Sequence, residues 1–107
     1  MDKTEKIKKI ADHYGFAKQS NIAIEEMSEL TKAICKWNRN RGDSLKSESY
    51  DCDERTAIIE EMADVWIMLC QLDYLLDSEF EVSELITKKL DRQLERIKRE
   101  CVEKSTY

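Results

Sequence analysis

Two short acidic motifs carry the chemistry in this chain: Glu25-Glu26-Met27-Ser28-Glu29 and Glu60-Glu61-Met62-Ala63-Asp64. Each sits inside an otherwise apolar helical pattern. Counting ~100° per residue, Glu26 falls within the arc of Ala33, Trp37 and Leu30, and Glu29 lies at its edge. Glu26 and Glu29 are an i, i+3 pair, so both reach one point above the helix. Glu61 and Asp64 repeat the arrangement and head a stripe that continues as Met68, Leu72 and Leu75. Glu25 and Glu60 adjoin the stripes without lying on them. A carboxylate on a core-facing stripe is costly unless something positive neutralises it. The plain alternative is a solvated acidic face with Lys and Arg partners. Acids that interrupt apolar stripes on two helices argue against that alternative. Four such carboxylates brought together repel until a cation sits among them.

The donor set narrows the cation. Oxygen-only ligation suits Mg²⁺, with Mn²⁺ as substitute. A di-iron carboxylate bundle needs Glu-x-x-His pairs. The only histidine, His13, is in no such pair. Zinc is disfavoured by the same lack of histidine and by the absence of a close cysteine pair.

A second charged group lies near the C-terminus. Lys89, Arg92 and Arg96 form one ridge beside the apolar seam of Ile86, Leu90, Leu94, Ile97 and Cys101. Local ion pairs, Arg92 with Glu95 and Arg96 with Glu100, are the plain reading. Arg92 and Arg96, however, repel each other at i, i+4 unless an anion lies between them. Phosphate is the anion that a lysine and two planar guanidinium groups suit.

Helices must position these groups. The chain has 107 residues, no proline and only two glycines, Gly15 and Gly42. Such a composition predicts an all-α fold, and the length predicts one domain over residues 1–107. An amphipathic segment over about 3–14 carries Ile7, Ile10 and Ala11, and Gly15 ends it. A second helix runs from about Lys18 to Arg39. Residues 38–53 are polar, rich in turn formers and without period, so they read as a connector or as a flap over a ligand site. A third helix starts near Asp51 to Asp53, with Asp51 and Glu54 resembling a capping box, and reaches about Leu76. From Ile58 onward it is apolar on nearly every side, which predicts burial against a partner subunit. Ser78 and Glu81 form a capping box for a fourth helix that extends to about Glu100.

Net charge of −5 at pH 7 argues against nucleic acid as the main partner. No apolar run is long enough to span a membrane, and no secretory leader is expected. Cys35, Cys52, Cys70 and Cys101 are widely spaced and read as reduced thiols, the usage of a cytoplasmic protein.

In order and content the motifs resemble those of the MazG-like all-α nucleoside triphosphate pyrophosphohydrolases, whose relatives include dimeric dUTPases and phosphoribosyl-ATP pyrophosphohydrolases. The Glu26-Met27-Ser28-Glu29-Leu30 and Glu61-Met62-Ala63-Asp64-Val65 segments match the family's metal motifs position by position. Lys89, Arg92 and Arg96 match its basic fourth-helix stretch more loosely. The stretch between the acidic motifs is at or above the family's upper length, and the excess lies in the polar connector. The resemblance implies a four-helix MazG-like fold, a bundle completed by homo-oligomerisation, with a tetramer favoured over a dimer. It implies Mg²⁺ held by Glu26, Glu29, Glu61 and Asp64, and hydrolysis of a nucleoside triphosphate to monophosphate and pyrophosphate. Glu25 and Glu60 become candidates for the general base, and Lys89, Arg92 and Arg96 for phosphate binding. Trp37 and Trp66 are candidates to stack on the base, with a core role as the alternative for each. His13 and Tyr14 could line the same pocket. A non-enzymatic helical interaction module and a metal storage or sensor protein are the competing readings.

Overall fold

The computed structural model of the chain describes residues 1–41 and 52–105. Among them the structure is all-α: α1 (Lys3–Asn40), α2 (Asp53–Leu75) and α3 (Glu79–Ser105), with no strand. The first two expected helices are joined as α1. Gly15 separates them within a single residue, at φ +81° and ψ 169°, a backbone region open essentially to glycine. No connecting loop intervenes, so the two helical segments of α1 follow one another directly at this break. The chain divides into two compact units, Met1–Leu76 and Asp77–Tyr107.

In the first unit, α1 opens on Asp2, whose carboxylate accepts the Glu5 N–H at 2.8 Å. It ends on Arg41, whose N–H donates to the Trp37 carbonyl at 2.7 Å. Residues 38–40, expected in the connector, belong to this last turn. The connector's remaining expected segment, 42–51, lies outside the described residues, and with it Asp51. Cys52 occupies the cap position of α2 and makes no side-chain cap bond. Glu54, expected to pair with Asp51 in a capping box, reaches the end of α1. Its carboxylate accepts from Asn40 Nδ2 at 3.4 Å and pairs with Arg41 Nη2 at 3.2 Å.

The cross-helix pairs fix the packing direction. As residue numbers fall along α1, their partners rise along α2: Arg41 meets Glu54, Gln19 meets Gln71, and Asp12 meets Tyr74. The two helices are therefore antiparallel beyond the Gly15 break. Their contact is lined by Ala11, Ala23, Trp37 and Met68, all buried. Small side chains at Ala11 and Ala23 allow the backbones to approach closely. Two glutamines are buried with them. Gln19 Nε2 donates to Gln71 Oε1 at 2.7 Å, so the buried amides satisfy each other. At the far end, the Tyr74 hydroxyl donates to both oxygens of the Asp12 carboxylate at 2.9 Å. Lys8 lies over the Tyr74 ring, 5.5 Å from its centroid.

The second unit is α3. Its entry follows Asp77, a non-glycine residue at φ +51°, which aspartate tolerates better than most. The Val82 N–H closes the first turn on the Ser78 carbonyl at 2.9 Å. Leu85, Ile86, Leu90, Leu94 and Ile97 recur at helical spacing along it, and all are exposed. None of the four cysteines is in a disulfide. No described helix is long and apolar enough to cross a membrane.

Candidate metal centre

Glu26 is on α1, and Glu61 and Asp64 are on α2. In the antiparallel hairpin the three converge. Each offers a carboxylate oxygen, and these oxygens all lie within 4.8 Å of one another. Glu26 and Glu61 are partly buried and Asp64 is exposed. The helical phase puts both α2 acids on the side facing α1, and the hairpin register brings Glu26 to their level.

The electrostatics follow from the crowding. Burial is the main cause that pushes the Glu26 carboxyl above its ordinary value of 4.5, followed by Asp64, Glu61, Glu29 and Glu25. Burial, then Asp64, Glu29 and Glu60, raise Glu61 in the same way. Each charge acting on these two groups is another carboxylate. Both therefore hold a proton more readily than an isolated carboxyl, and a nearby positive charge would relieve the crowding. Glu29 is outside the tight trio but near enough to act on Glu26 and on Glu61. Ser28, within the first motif, turns its hydroxyl back to the Ile24 carbonyl at 3.0 Å and so faces its own helix.

The remaining expected site residues are distributed as follows. Glu25 and Glu60 are exposed neighbours of the trio. Lys89, Arg92 and Arg96 are exposed on α3, in the second unit. Trp37 is buried, with the Arg41 guanidinium 5.9 Å from its ring centroid. Trp66 is 70% exposed. His13 packs edge-on against Tyr14, centroids 4.7 Å apart, and Lys18 sits over the Tyr14 ring.

Sequence reasoning missed one feature of the first unit. A groove of about 680 Å³ runs between Lys3, Lys6 and Ile10 on α1 and Ala63, Trp66 and Ile67 on α2. Its volume is that of a small-molecule site. The available signal was the outward ring of Trp66, two residues after Asp64, on a helix too apolar for one neighbour to cover. Comparison of the chain with family models, with curated proteins and with solved structures found no match.

Proposed function

We propose that the protein is a Mg²⁺-dependent nucleoside triphosphate pyrophosphohydrolase, releasing a nucleoside monophosphate and pyrophosphate. The observation that carries the reading is the convergence of Glu26, Glu61 and Asp64 from two helices. Their donor set fits the ion: hard carboxylate oxygens, partly open to solvent, which leaves room for the waters Mg²⁺ keeps. Glu29, one turn along α1, supplies the fourth carboxylate of the resemblance. When bound, the ion supplies neutralisation of phosphate charge and activation of a water. Glu25 or Glu60 accepts the proton of the attacking water. Lys89, Arg92 and Arg96 hold the outer phosphates and stabilise the leaving pyrophosphate. Of the two tryptophans, Trp66 presents the freer ring for stacking on a base, at the edge of an apolar groove roomy enough for a nucleoside.

The substrate is a free nucleotide, not a nucleic acid, in keeping with a net charge of −5. The working form is a homo-oligomer, by resemblance a tetramer before a dimer, that completes a four-helix MazG-like bundle. Exposed apolar side chains on α2 and α3 support this.

The test is a screen of ribo- and deoxyribonucleoside triphosphates with Mg²⁺, following pyrophosphate. At least one triphosphate is expected to release it, and chelator in excess is expected to stop turnover. Orthophosphate as the primary product, or full turnover in chelator, overturns the reading. The exposed apolar stripe of α3 also suits a helical interaction module. A folded protein with no turnover on any triphosphate favours that alternative.

A further inference from the structure

The hydrogen-bonded pair Gln19–Gln71 stands in a fixed relation to the acids. Glu26 is seven residues after Gln19 on α1, and Asp64 is seven residues before Gln71 on α2. Seven residues are two helical turns, so each glutamine lies on the same face as its acid. In an antiparallel hairpin the two pairs are then two rungs of one ladder.

The rest of the contact specifies register weakly. Alanine and methionine pack with little direction, the one large ring of the contact, Trp37, lies at the Arg41 end, and α2 is apolar on most sides. Sliding α1 by one turn, about 5.4 Å, exchanges one set of apolar contacts for a similar one. It also carries Glu26 farther than the 4.8 Å span within which the three carboxylates now meet. Without a cation the acids favour that slide, because it relieves their repulsion. The glutamines oppose it. They are 5% and 2% exposed, and a slide breaks the bond between them, leaving the buried Gln19 amide without its partner and Gln71 with only the weak contact to Met68 Sδ on its own helix, 3.9 Å away. The clips at the hairpin ends, Arg41–Glu54 and Asp12–Tyr74, are more open to water and restrain the slide less.

We propose that Gln19 and Gln71 are positioning residues of the acidic site, a buried register lock that holds Glu26 level with Glu61 and Asp64 against their mutual repulsion. The role deepens the metal-site reading and rests on it for its purpose, though the lock itself is readable without metal. Buried polar pairs set register in other helical assemblies at little gain in stability.

The experiment replaces both amides with an unbranched apolar side chain of similar volume, in Gln19→Met/Gln71→Met. The chain has two tryptophans, Trp37 and Trp66, so one register gives two indole N–H signals in a ¹H–¹⁵N spectrum. In chelator the wild type is expected to show two. The double variant is expected to melt no lower than wild type, yet to show additional or exchange-broadened indole signals. Its Mg²⁺ affinity, read from the melting shift, is expected to fall by about tenfold or more. Each single variant strands one buried amide and is expected to melt below the double variant. Two sharp indole signals at wild-type positions, with wild-type Mg²⁺ affinity, overturn the lock. A wild type that ignores Mg²⁺ counts against the metal site alone, and the indole spectra in chelator still decide the register. Should the double variant fail to fold, Gln19→Asn keeps an amide but shortens its reach, and the same signals decide.

Discussion

At the scale of single residues, Glu61 separates a ligand from a structural acid. Glu61→Gln is nearly isosteric and removes one charge from a crowded set. Apo stability is expected to hold or rise, because the repulsion that raises Glu26 is reduced. Wild type is expected to gain stability with Mg²⁺ by mass action, and the variant is not. Turnover is expected to fall by more than about 100-fold, since even groups behind the ligands cost 10–100-fold. Melting curves in chelator and in Mg²⁺ check this, and equal Mg²⁺ shifts in both proteins mean the site is misassigned. The raised carboxyls also predict a pH dependence. A carboxyl raised in the folded state holds more protons there than in the unfolded chain, so its stabilising contribution is lost as pH rises. Metal-free wild type is therefore expected to melt higher near pH 5 than near pH 7.5, through the window above 4.5. Glu54 acts oppositely and elsewhere. Its own backbone N–H, then Asn40 and Arg41, lower it, so its contribution is lost below 4.5. Thermal melts across pH in chelator, wild type against Glu26→Gln, read the difference; a flat wild-type profile above pH 4.5 contradicts it. Helical phase puts Glu26, Glu29, Glu61 and Asp64 on or beside apolar stripes, but that Glu26, Glu61 and Asp64 meet while Glu29 stands outside follows from the hairpin register, which phase does not give. Burial at Trp37 and exposure at Trp66 were not legible either, because phase gives a direction and not what covers it.

At the scale of elements, the Gly15 break was legible and its sharpness was not. Glycine after an apolar helical run marks an end, but whether a loop or one residue follows depends on tertiary contacts, here Asp12 with Tyr74. At φ +81° and ψ 169° the backbone excludes a side chain on torsional grounds, although a Cβ at Gly15 would meet nothing within 4 Å. Gly15→Ala is therefore expected to cost about 1–3 kcal/mol, all of it backbone strain. Urea unfolding measures it, and a loss below about 0.5 kcal/mol shows that the chain straightens at no cost. The start of α2 near Asp53 was legible, but the partner of Glu54 was not. A sequence shows that Glu54 lies near a helix start, but not that Arg41 arrives beside it from the other helix. The Gln19–Gln71 bond was illegible for the same reason: an amide on an apolar stripe shows its worth only when its partner across the hairpin is known.

At the scale of the whole molecule, the question is what covers the apolar side chains. Within the first unit, Met62, Trp66 and Leu69 remain open along α2 although α1 packs against it. Along α3, Leu90, Leu94 and Ile97 are each more than half exposed. Periodicity made the all-round apolar character of α2 legible, and it predicted a partner without saying where that partner binds. Scattered exposed leucines need no explanation, but stripes on successive helices do. A small chain commonly adds core by association. Light scattering at micromolar concentration is therefore expected to give a multiple of 12.6 kDa, the tetramer before the dimer. Leu94→Glu locates the contact. If the α3 stripe faced water, this change would alter stability by less than about 0.5 kcal/mol and leave the mass unchanged. If the stripe is the seam between copies, it buries a charge there, and both mass and melting temperature are expected to fall. A fall in melting temperature at constant mass puts the cover of the stripe within one chain. A stable 12.6 kDa wild-type monomer removes the oligomer altogether.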